Sequence, residues 1–196
     1  VPTDYSYSFN QNSATMLFLK TSSPNLSEVK VRQALAKATK VNELTAKTGF
    51  VAVPVKGPLL SSHVGYNKEY DQFGYSKEEA NKLLDDSGWL KSPASKYRQK
   101  DGKDLVLKLV SENNEIYPQI ATELQKQWAE LGVKLDVSFV SPEQITQTYI
   151  PNHEYDVFLY GINIGPDPDV YAYWHSTQAA SGTPRLNLSE YKSPVV

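Results

Sequence analysis

The residues of this sequence that are best suited to bind a ligand follow a short apolar run, Tyr155 to Tyr160. That run predicts a buried, interior strand, and the small residues of Gly161 to Gly165 come directly after it. In open α/β sheets, ligands bind beyond the carboxyl ends of the strands, where glycine allows close approach to the backbone. Free N–H and C=O groups there can bind another chain without reading its side chains. The candidate ligand contacts are therefore Gly161, Ile162, Asn163, Ile164, Gly165 and Asp167.

Taken alone, this stretch is better explained as an ordinary strand-to-helix turn. Asp167 is a good N-cap and Pro168 a good first helical residue for a helix that runs through Tyr171 and Trp174. Both interpretations can hold together. Gln144, at the start of the preceding helix, is a weaker ligand candidate, because a capping role also accounts for it. Trp174 is read as a core residue.

Catalytic and metal signatures are missing from the sequence. The histidines, His63, His153 and His175, show no metalloprotease spacing, and no phosphate-binding glycine motif occurs. Ser62 and His63 are neighbours in the chain, and neighbouring side chains in an extended segment point to opposite sides. We therefore expect no catalytic residue, no bound metal and no cofactor. A hydrolase built on Ser61, Ser62 or a histidine cluster remains a remote alternative.

The amino-acid composition argues against two classes of binding partner, nucleic acids and anionic membranes. The net charge is −2, so the basic stripe of a nucleic-acid-binding protein and attraction to an anionic membrane are both unexpected. Hydrophobic residues make up 40% of the chain, enough for a packed core. The absence of cysteine excludes disulfides and thiolate sites. No apolar run approaches the roughly 20 residues that span a bilayer.

Apolar periodicity and breaker residues predict an α/β lobe with a mixed sheet. Its first strand covers Thr15 to Lys20, and Ser27 and Asn42 are expected to cap the two helices that follow. The residues numbered 50–75 are read as a long loop. Capping boxes are predicted at Ser76 with Glu79 and at Ser141 with Gln144, the second starting a helix that lasts to about Ile150.

The second half of the chain predicts two further elements. A hairpin is expected over 95–99 and 104–110, with Asp101-Gly102 as its turn. A helix opening at Pro118 presents Ile120, Leu124, Trp128 and Leu131 on one face and ends at Gly132. A strand over 133–140 follows it.

Several segments, taken in order, resemble the family 5 extracellular solute-binding proteins, the oligopeptide-, dipeptide- and nickel-binding receptors of ABC transporters. Val31-Arg32-Gln33-Ala34-Leu35 resembles the family's "VRQAL" helix, and Tyr75 to Trp89 its "Y..E.AK.LL.EAGW" helix. The remaining similar segments are Thr15 to Leu19, Ala121 to Val133, Tyr155 to Val157, Pro166 to Ser176 and Asn187 to Pro194. No single motif decides the resemblance, but their order and spacing do.

The resemblance implies a periplasmic-binding-protein-like fold of the large peptide-binding cluster. Residues 1–196 would be a single lobe, the C-terminal one, of a two-lobed protein whose first lobe is absent from this sequence. It implies a monomer outside the cytoplasm, periplasmic or lipid-anchored, that passes a peptide or other small solute to the permease subunits of an ABC importer. The resemblance implies a protein without catalytic activity. It does not distinguish a transport receptor from a receptor that signals.

One departure from the family bears on the ligand. Peptide-binding relatives carry Gly-Trp and then an amine-binding aspartate after this strand. Here Gly161 keeps the glycine, Ile162 replaces the tryptophan, and Ile164 or Gly165 lies where the aspartate is expected. Either Asp167 or Asp169 substitutes for it, or the ligand is a modified peptide, an oligosaccharide, a nickel chelate or haem. The aromatic residues Tyr160, Tyr171, Tyr173 and Trp174 would suit a sugar as well as a peptide.

Overall fold

The computed structural model of the chain describes residues 13–49, 52–61, 63–70, 74–163, 169, 171–182 and 185–193. Its main sheet has four strands in the order β1-β7-β5-β6. They are β1 (Ser13–Leu19), β5 (Val106–Glu112), β6 (Lys134–Val140) and β7 (Val157–Asn163). β5 runs parallel to both β6 and β7, while β1 pairs antiparallel with β7. The predicted mixed sheet is confirmed, and β7 is an interior strand as its continuous apolar run indicated.

Helices cover one face of this sheet. They are α1 (Val29–Ala38), α2 (Val41–Thr45), α3 (Lys77–Asp85) and α4 (Tyr117–Leu131). Leu107 and Leu109 of β5 and Leu159 of β7 point to this side, and Trp128 of α4 packs with them. We call this cluster the helix-side core.

A second cluster, the far-side core, lies on the opposite face. Because side chains alternate along a strand, Val110 and Phe158 point away from the helices. They pack with Ile162, Ile145 and Leu188. This face is covered by α5 (Pro142–Gln144), a π-helical turn (Ile145–Tyr149), α6 (Ile150–Asn152), α7 (Tyr171–Trp174) and the segment 185–193. The helix predicted from Pro142 to Ile150 is thus one continuous helical path in three pieces.

Two of the predicted helix caps are wrong. The hydroxyl of Ser27 donates to the carbonyl of Pro24 at 3.0 Å and closes a 3-10 turn, so α1 has Glu28 as its N-cap with no side-chain cap. α2 begins at Val41 instead of after Asn42. The Oε1 atom of Gln127 accepts from the backbone N–H of Lys40 at 2.9 Å, and this tertiary contact fixes the earlier start.

The two capping boxes differ in completeness. At Ser141 both halves form, with Ser141 and Gln144 bonding each other's backbone N–H. At Ser76 only the serine half forms, through a 3.2 Å bond from the Glu79 N–H. The Glu79 carboxylate instead pairs with Lys37, whose carbonyl also accepts from the Ser76 N–H. Tertiary contact with α1 replaces the local bond.

The predicted hairpin belongs to a separate small sheet of β2 (Leu90–Ser92), β3 (Ser95–Lys100) and β4 (Lys103–Asp104). Its turn residues Asp101 and Gly102 have φ of 53° and 73°, as a tight hairpin turn requires. The second arm does not continue to residue 110, because the chain changes sheets at Leu105. Its N–H donates to Arg98 in the small sheet, and its carbonyl accepts from Lys134 in the main sheet.

The long loop predicted over 50–75 is confirmed where the structure describes it. Between α2 and α3, the residues 52–61, 63–70 and 74–76 contain only one short 3-10 turn, Lys68–Tyr70. No helix within the described part of the chain is long and apolar enough to cross a membrane.

Arg98 joins the small sheet to the helix layer. Its side chain is 1% exposed. Its guanidinium donates to the carbonyls of Leu131 and Trp89 and to the side-chain oxygens of Asn81 and Asp85. It therefore holds the ends of α3 and α4 against β3. Buried donors and acceptors left without a partner are strongly destabilising, so the buried carbonyls of Leu131 and Trp89 depend on this one side chain.

We predict that Arg98→Met lowers the free energy of unfolding by about 3 kcal/mol, because two buried carbonyls lose their donor. Equilibrium urea unfolding measures the change. The control is Lys91→Met, on the neighbouring strand, where the side chain is exposed; there we expect a change within about 0.5 kcal/mol. Equal effects of the two variants would contradict this role for Arg98.

The segment 185–193 is bound to the body through its backbone and one acid. The Tyr155 hydroxyl donates to the Leu188 carbonyl at 2.9 Å, and the Thr21 N–H donates to the Ser189 carbonyl at 2.8 Å. The Glu190 carboxylate lies 2.9 Å from Nδ1 of the buried His153. Burial alone would raise the pKa of Glu190, but hydrogen bonds from Ser22 and His153 and nearby positive charges outweigh it, and the net pKa is lowered.

A lowered folded-state pKa gives stability that is present above the unfolded-state pKa of Glu190 and is lost as the pH falls through the folded-state value. We therefore expect Glu190→Gln to weaken the acid dependence of stability below the ordinary carboxyl range. Urea unfolding as a function of pH is the measurement. Glu154→Gln, which alters an exposed acid near His153, should keep the wild-type slope. An unchanged slope in Glu190→Gln would refute the linkage.

Candidate ligand-binding edge

The carboxyl ends of β5, β6 and β7 meet at one edge of the main sheet, because these strands are parallel. From this edge, β5 leads to α4 in the helix-side core. β7 leads to α7, whose Tyr173 and Trp174 pack against the far-side core. The helices that follow these two adjacent strands thus lie on opposite faces of the sheet. In open α/β sheets, the carboxyl edge at such a reversal is the usual place for a ligand.

Three of the predicted contact residues lie in the strand itself. Gly161, Ile162 and Asn163 continue β7 and pair with Thr15, Ala14 and Ser13 of β1. The strand predicted over Tyr155 to Tyr160, ending at Gly161, thus covers Val157–Asn163 instead, because β1 supplies an antiparallel partner up to Asn163. The Ile162 side chain is 3% exposed and packs in the far-side core, whereas Asn163 is exposed at the edge.

The remaining predicted residues divide into two groups. Ile164, Gly165 and Asp167 lie outside the described residues. Gln144 is exposed at the same edge, where its side-chain oxygen accepts from the Ser141 N–H at 3.0 Å. The capping role predicted for Gln144 is confirmed, and a ligand contact by any of these residues stays a prediction.

Gly161 leaves room for a side chain that the sequence analysis did not single out. A Cβ atom at Gly161 would lie 2.6 Å from the Tyr117 hydroxyl, a distance that real Cβ atoms do not show. Tyr117 is the first residue of α4. The side chain of Asn114 accepts from the N–H groups of Ile116 and Tyr117 and thereby fixes this helix start. The signal in the sequence was Pro118, which marks the start of a helix directly after a strand.

Aromatic rings line the far-side face along β7. Tyr155, Phe158 and Tyr160 stack in succession, with ring centroids 4.7 and 5.2 Å apart. Tyr173 and Trp174 form an edge-on pair at 5.7 Å, half-buried against the far-side core. Burial first, and the charge of Glu112 second, raise the pKa of Tyr160. The Tyr160 hydroxyl is therefore a neutral hydrogen-bonding group at neutral pH.

The histidines have separate local partners. His63 is 6% exposed, and its Nδ1 accepts from the Leu60 N–H at 3.2 Å. His153 pairs with Glu190, and His175 stacks on Tyr171 with ring centroids 4.4 Å apart. Among the residues that the structure describes, no group of three His, Cys, Asp or Glu side chains could hold a metal ion. Ser62 lies outside the described residues.

The sequence profile of the bacterial extracellular solute-binding proteins, family 5, middle region, matches residues 2–183. The chain belongs to this family. It is a family of solute-binding proteins and not of enzymes, as the motif series predicted.

This chain aligns with only part of the length of its curated relatives. The oligopeptide-binding protein OppA of Lactococcus lactis subsp. lactis (strain IL1403) is 32% identical over 120 residues, which are 57% of this chain and 19% of that protein. The oligopeptide-binding protein OppA of Mycobacterium bovis is 28% identical over 179 residues, 87% of this chain and 29% of that protein. The chain thus spans less than a third of the length of either relative.

Solved structures show the same fold. The oligopeptide-binding protein AppA from Bacillus subtilis, in complex with a nonapeptide, matches with a TM-score of 0.83 and 25% identity, covering 93% of this chain and 37% of that one. NikZ from Campylobacter jejuni, in complex with Ni(L-His), matches with a TM-score of 0.79 and 23% identity, covering 94% of this chain and 37% of that one. The predicted periplasmic-binding-protein-like fold is confirmed.

We predict that Gly161→Ala lowers the free energy of unfolding by about 1–3 kcal/mol, because the new methyl group overlaps the Tyr117 hydroxyl. Tyr117→Phe removes that oxygen, so Gly161→Ala should be less destabilising in the Tyr117→Phe background. A double-mutant cycle by urea unfolding measures this coupling. Gly57→Ala is the control, since a Cβ there meets nothing within 4 Å. Additive effects of the two substitutions would contradict the contact.

Proposed function

We propose that this chain is one lobe of an extracytoplasmic receptor that binds oligopeptides or dipeptides and delivers them to an ABC importer. The observation that carries the proposal is the family 5 match over residues 2–183, in a lobe where the helices after β5 and β7 lie on opposite faces of the sheet. The curated relatives with 32% and 28% identity are named oligopeptide-binding proteins, and the second aligns with 87% of this chain. Peptide is therefore the leading ligand class.

The geometry suits reversible capture of a peptide backbone. At the end of β7, the Tyr117 hydroxyl fills the side-chain space of Gly161, and Asn163 is exposed where the strand leaves the sheet. An extended ligand can hydrogen-bond to main-chain groups at such a strand end without specifying its own sequence. Binding of this kind needs no nucleophile and no general base.

A single lobe supplies only one wall of the site. The match with the nonapeptide-bound AppA covers 93% of this chain and 37% of that one. We propose that residues 1–196 form one lobe of a two-lobed protein. Ligand sites usually bury most of the ligand surface, so the lobe alone should bind weakly. We further propose that the receptor is monomeric and docks on the permease subunits of the importer. It would be periplasmic or held outside the membrane by a lipid anchor.

A nickel chelate is the second candidate ligand. NikZ was solved with Ni(L-His), and its fold matches with a TM-score of 0.79. A chelated ion brings ligands of its own, so it does not require a three-residue metal group of the protein. Oligosaccharide and haem are further alternatives, since aromatic rings bind the faces of both.

Thermal-shift screening of the full-length protein that contains this chain tests the proposal. The probes are a pool of synthetic peptides of two to nine residues, an oligosaccharide pool, haem and Ni(L-His). A ligand that binds only the folded state raises the melting temperature, by an amount that grows with its concentration over Kd. We expect stabilisation by the peptide pool. Stabilisation by another probe alone would reassign the ligand class and refute the peptide proposal.

A further inference from the structure

One row of side chains crosses the far-side face close to the ligand-binding edge. Met16 pairs with Tyr160, and Glu112 pairs with Val140. Because Ser111 pairs with Leu159, Glu112 and Tyr160 are the next residues on adjacent parallel strands. The row therefore reads Met16, Tyr160, Glu112, Val140. Glu112 is the charged member of a row whose other three side chains pack against the far-side core.

Glu112 has no counter-charge among the described residues. It is half-buried, yet no hydrogen bond or ion pair joins its carboxylate to any residue that the structure describes. The other half-buried acids of the described chain have a partner. Glu123 lies 3.7 Å from Lys47 and Glu190 lies 2.9 Å from His153. Asp104 and Asp156 accept hydrogen bonds from neutral donors. Partial burial of a carboxylate is unfavourable unless a cation or hydrogen-bond donor accompanies it.

The surroundings of Glu112 fit an ammonium group better than a metal ion. A hard cation would need several oxygen ligands, and the neighbours of Glu112 in the row are a thioether, a phenol ring and a valine. A Tyr ring face attracts a nearby cation, and Tyr160 lies beside Glu112 while Tyr173 is close enough to influence the Tyr160 hydroxyl. A half-buried carboxylate beside a tyrosine ring is a site for a small organic cation.

From this arrangement we propose that Glu112 binds an ammonium group of the peptide ligand, and so selects peptides that carry one at this position. The inference rests on the proposed peptide-binding function and names a specificity residue for it. The ammonium comes either from the amino terminus of the peptide or from a lysine side chain. Both share the same chemistry, and a charge-assisted hydrogen bond to carboxylate serves either one.

The test measures apparent Kd by isothermal titration calorimetry on the full-length protein. The probe is a synthetic nonapeptide pool of Ala, Leu, Ser and Lys, prepared unmodified, N-acetylated, and with Lys replaced by norleucine. Glu112→Gln should bind the unmodified pool about ten- to hundredfold more weakly than wild type, the effect of losing one charge-assisted bond. The modification that removes the relevant ammonium should weaken binding to wild type by the same factor as Glu112→Gln does. The same modification should leave the affinity of Glu112→Gln almost unchanged.

The control is Glu154→Gln, which changes the same charge before the amino end of β7, at the opposite end of the sheet, and should bind like wild type. If wild type binds the N-acetylated pool more weakly, the ammonium is the amino terminus of the peptide. If wild type binds the norleucine pool more weakly, the ammonium is a lysine side chain. If Glu112→Gln and wild type bind every pool alike, or Glu112→Gln binds all three pools more weakly by one common factor, the inference is wrong while the peptide function stands. If wild type binds no pool, the peptide function is wrong and this inference with it.

Discussion

The burial of β7 on both faces is the constraint on which the rest of the structure depends. Val157, Phe158 and Leu159 are each at most 2% exposed, so the strand must have neighbours on both sides and a layer above and below. β1 and β5 provide the neighbours, and the two cores provide the layers. α4 packs on one face, and α7, the next helix described after β7, packs on the other.

The same constraint shapes the side chains at the carboxyl edge of the sheet. On the helix side, Gly161 has to be small because the Tyr117 hydroxyl occupies the space of a Cβ atom. On the far side, Ile162 is drawn into the core, while Tyr160 and Glu112 remain partly accessible. A ligand at this edge therefore meets the Tyr117 hydroxyl on the helix side and a row containing phenol and carboxylate on the far side. The carboxylate suits a ligand with a positive charge.

Elsewhere in the molecule, charged side chains connect secondary-structure elements through hydrogen bonds and ion pairs. Arg98 ties the small sheet to α3 and α4, and Glu190 with His153 ties the segment 185–193 to the end of α6. Both contacts lie away from the carboxyl edge and satisfy buried polar groups. They stabilise the lobe without contributing to the candidate site, in contrast to Glu112, whose carboxylate has no such partner among the described residues.

The sequence by itself determined the α/β class, the interior position of β7, the start of α5 and the membership of family 5, because apolar runs, capping residues and motif order are local signals. It misplaced the caps of α1 and α2 and the end of β7, where contacts with Gln127 and β1 override local preference. Only the tertiary structure decided that Ile162 faces the core, that Tyr117 meets Gly161 and that Glu112 lies beside Tyr160. Those juxtapositions depend on strand register and crossover direction, which no local pattern encodes.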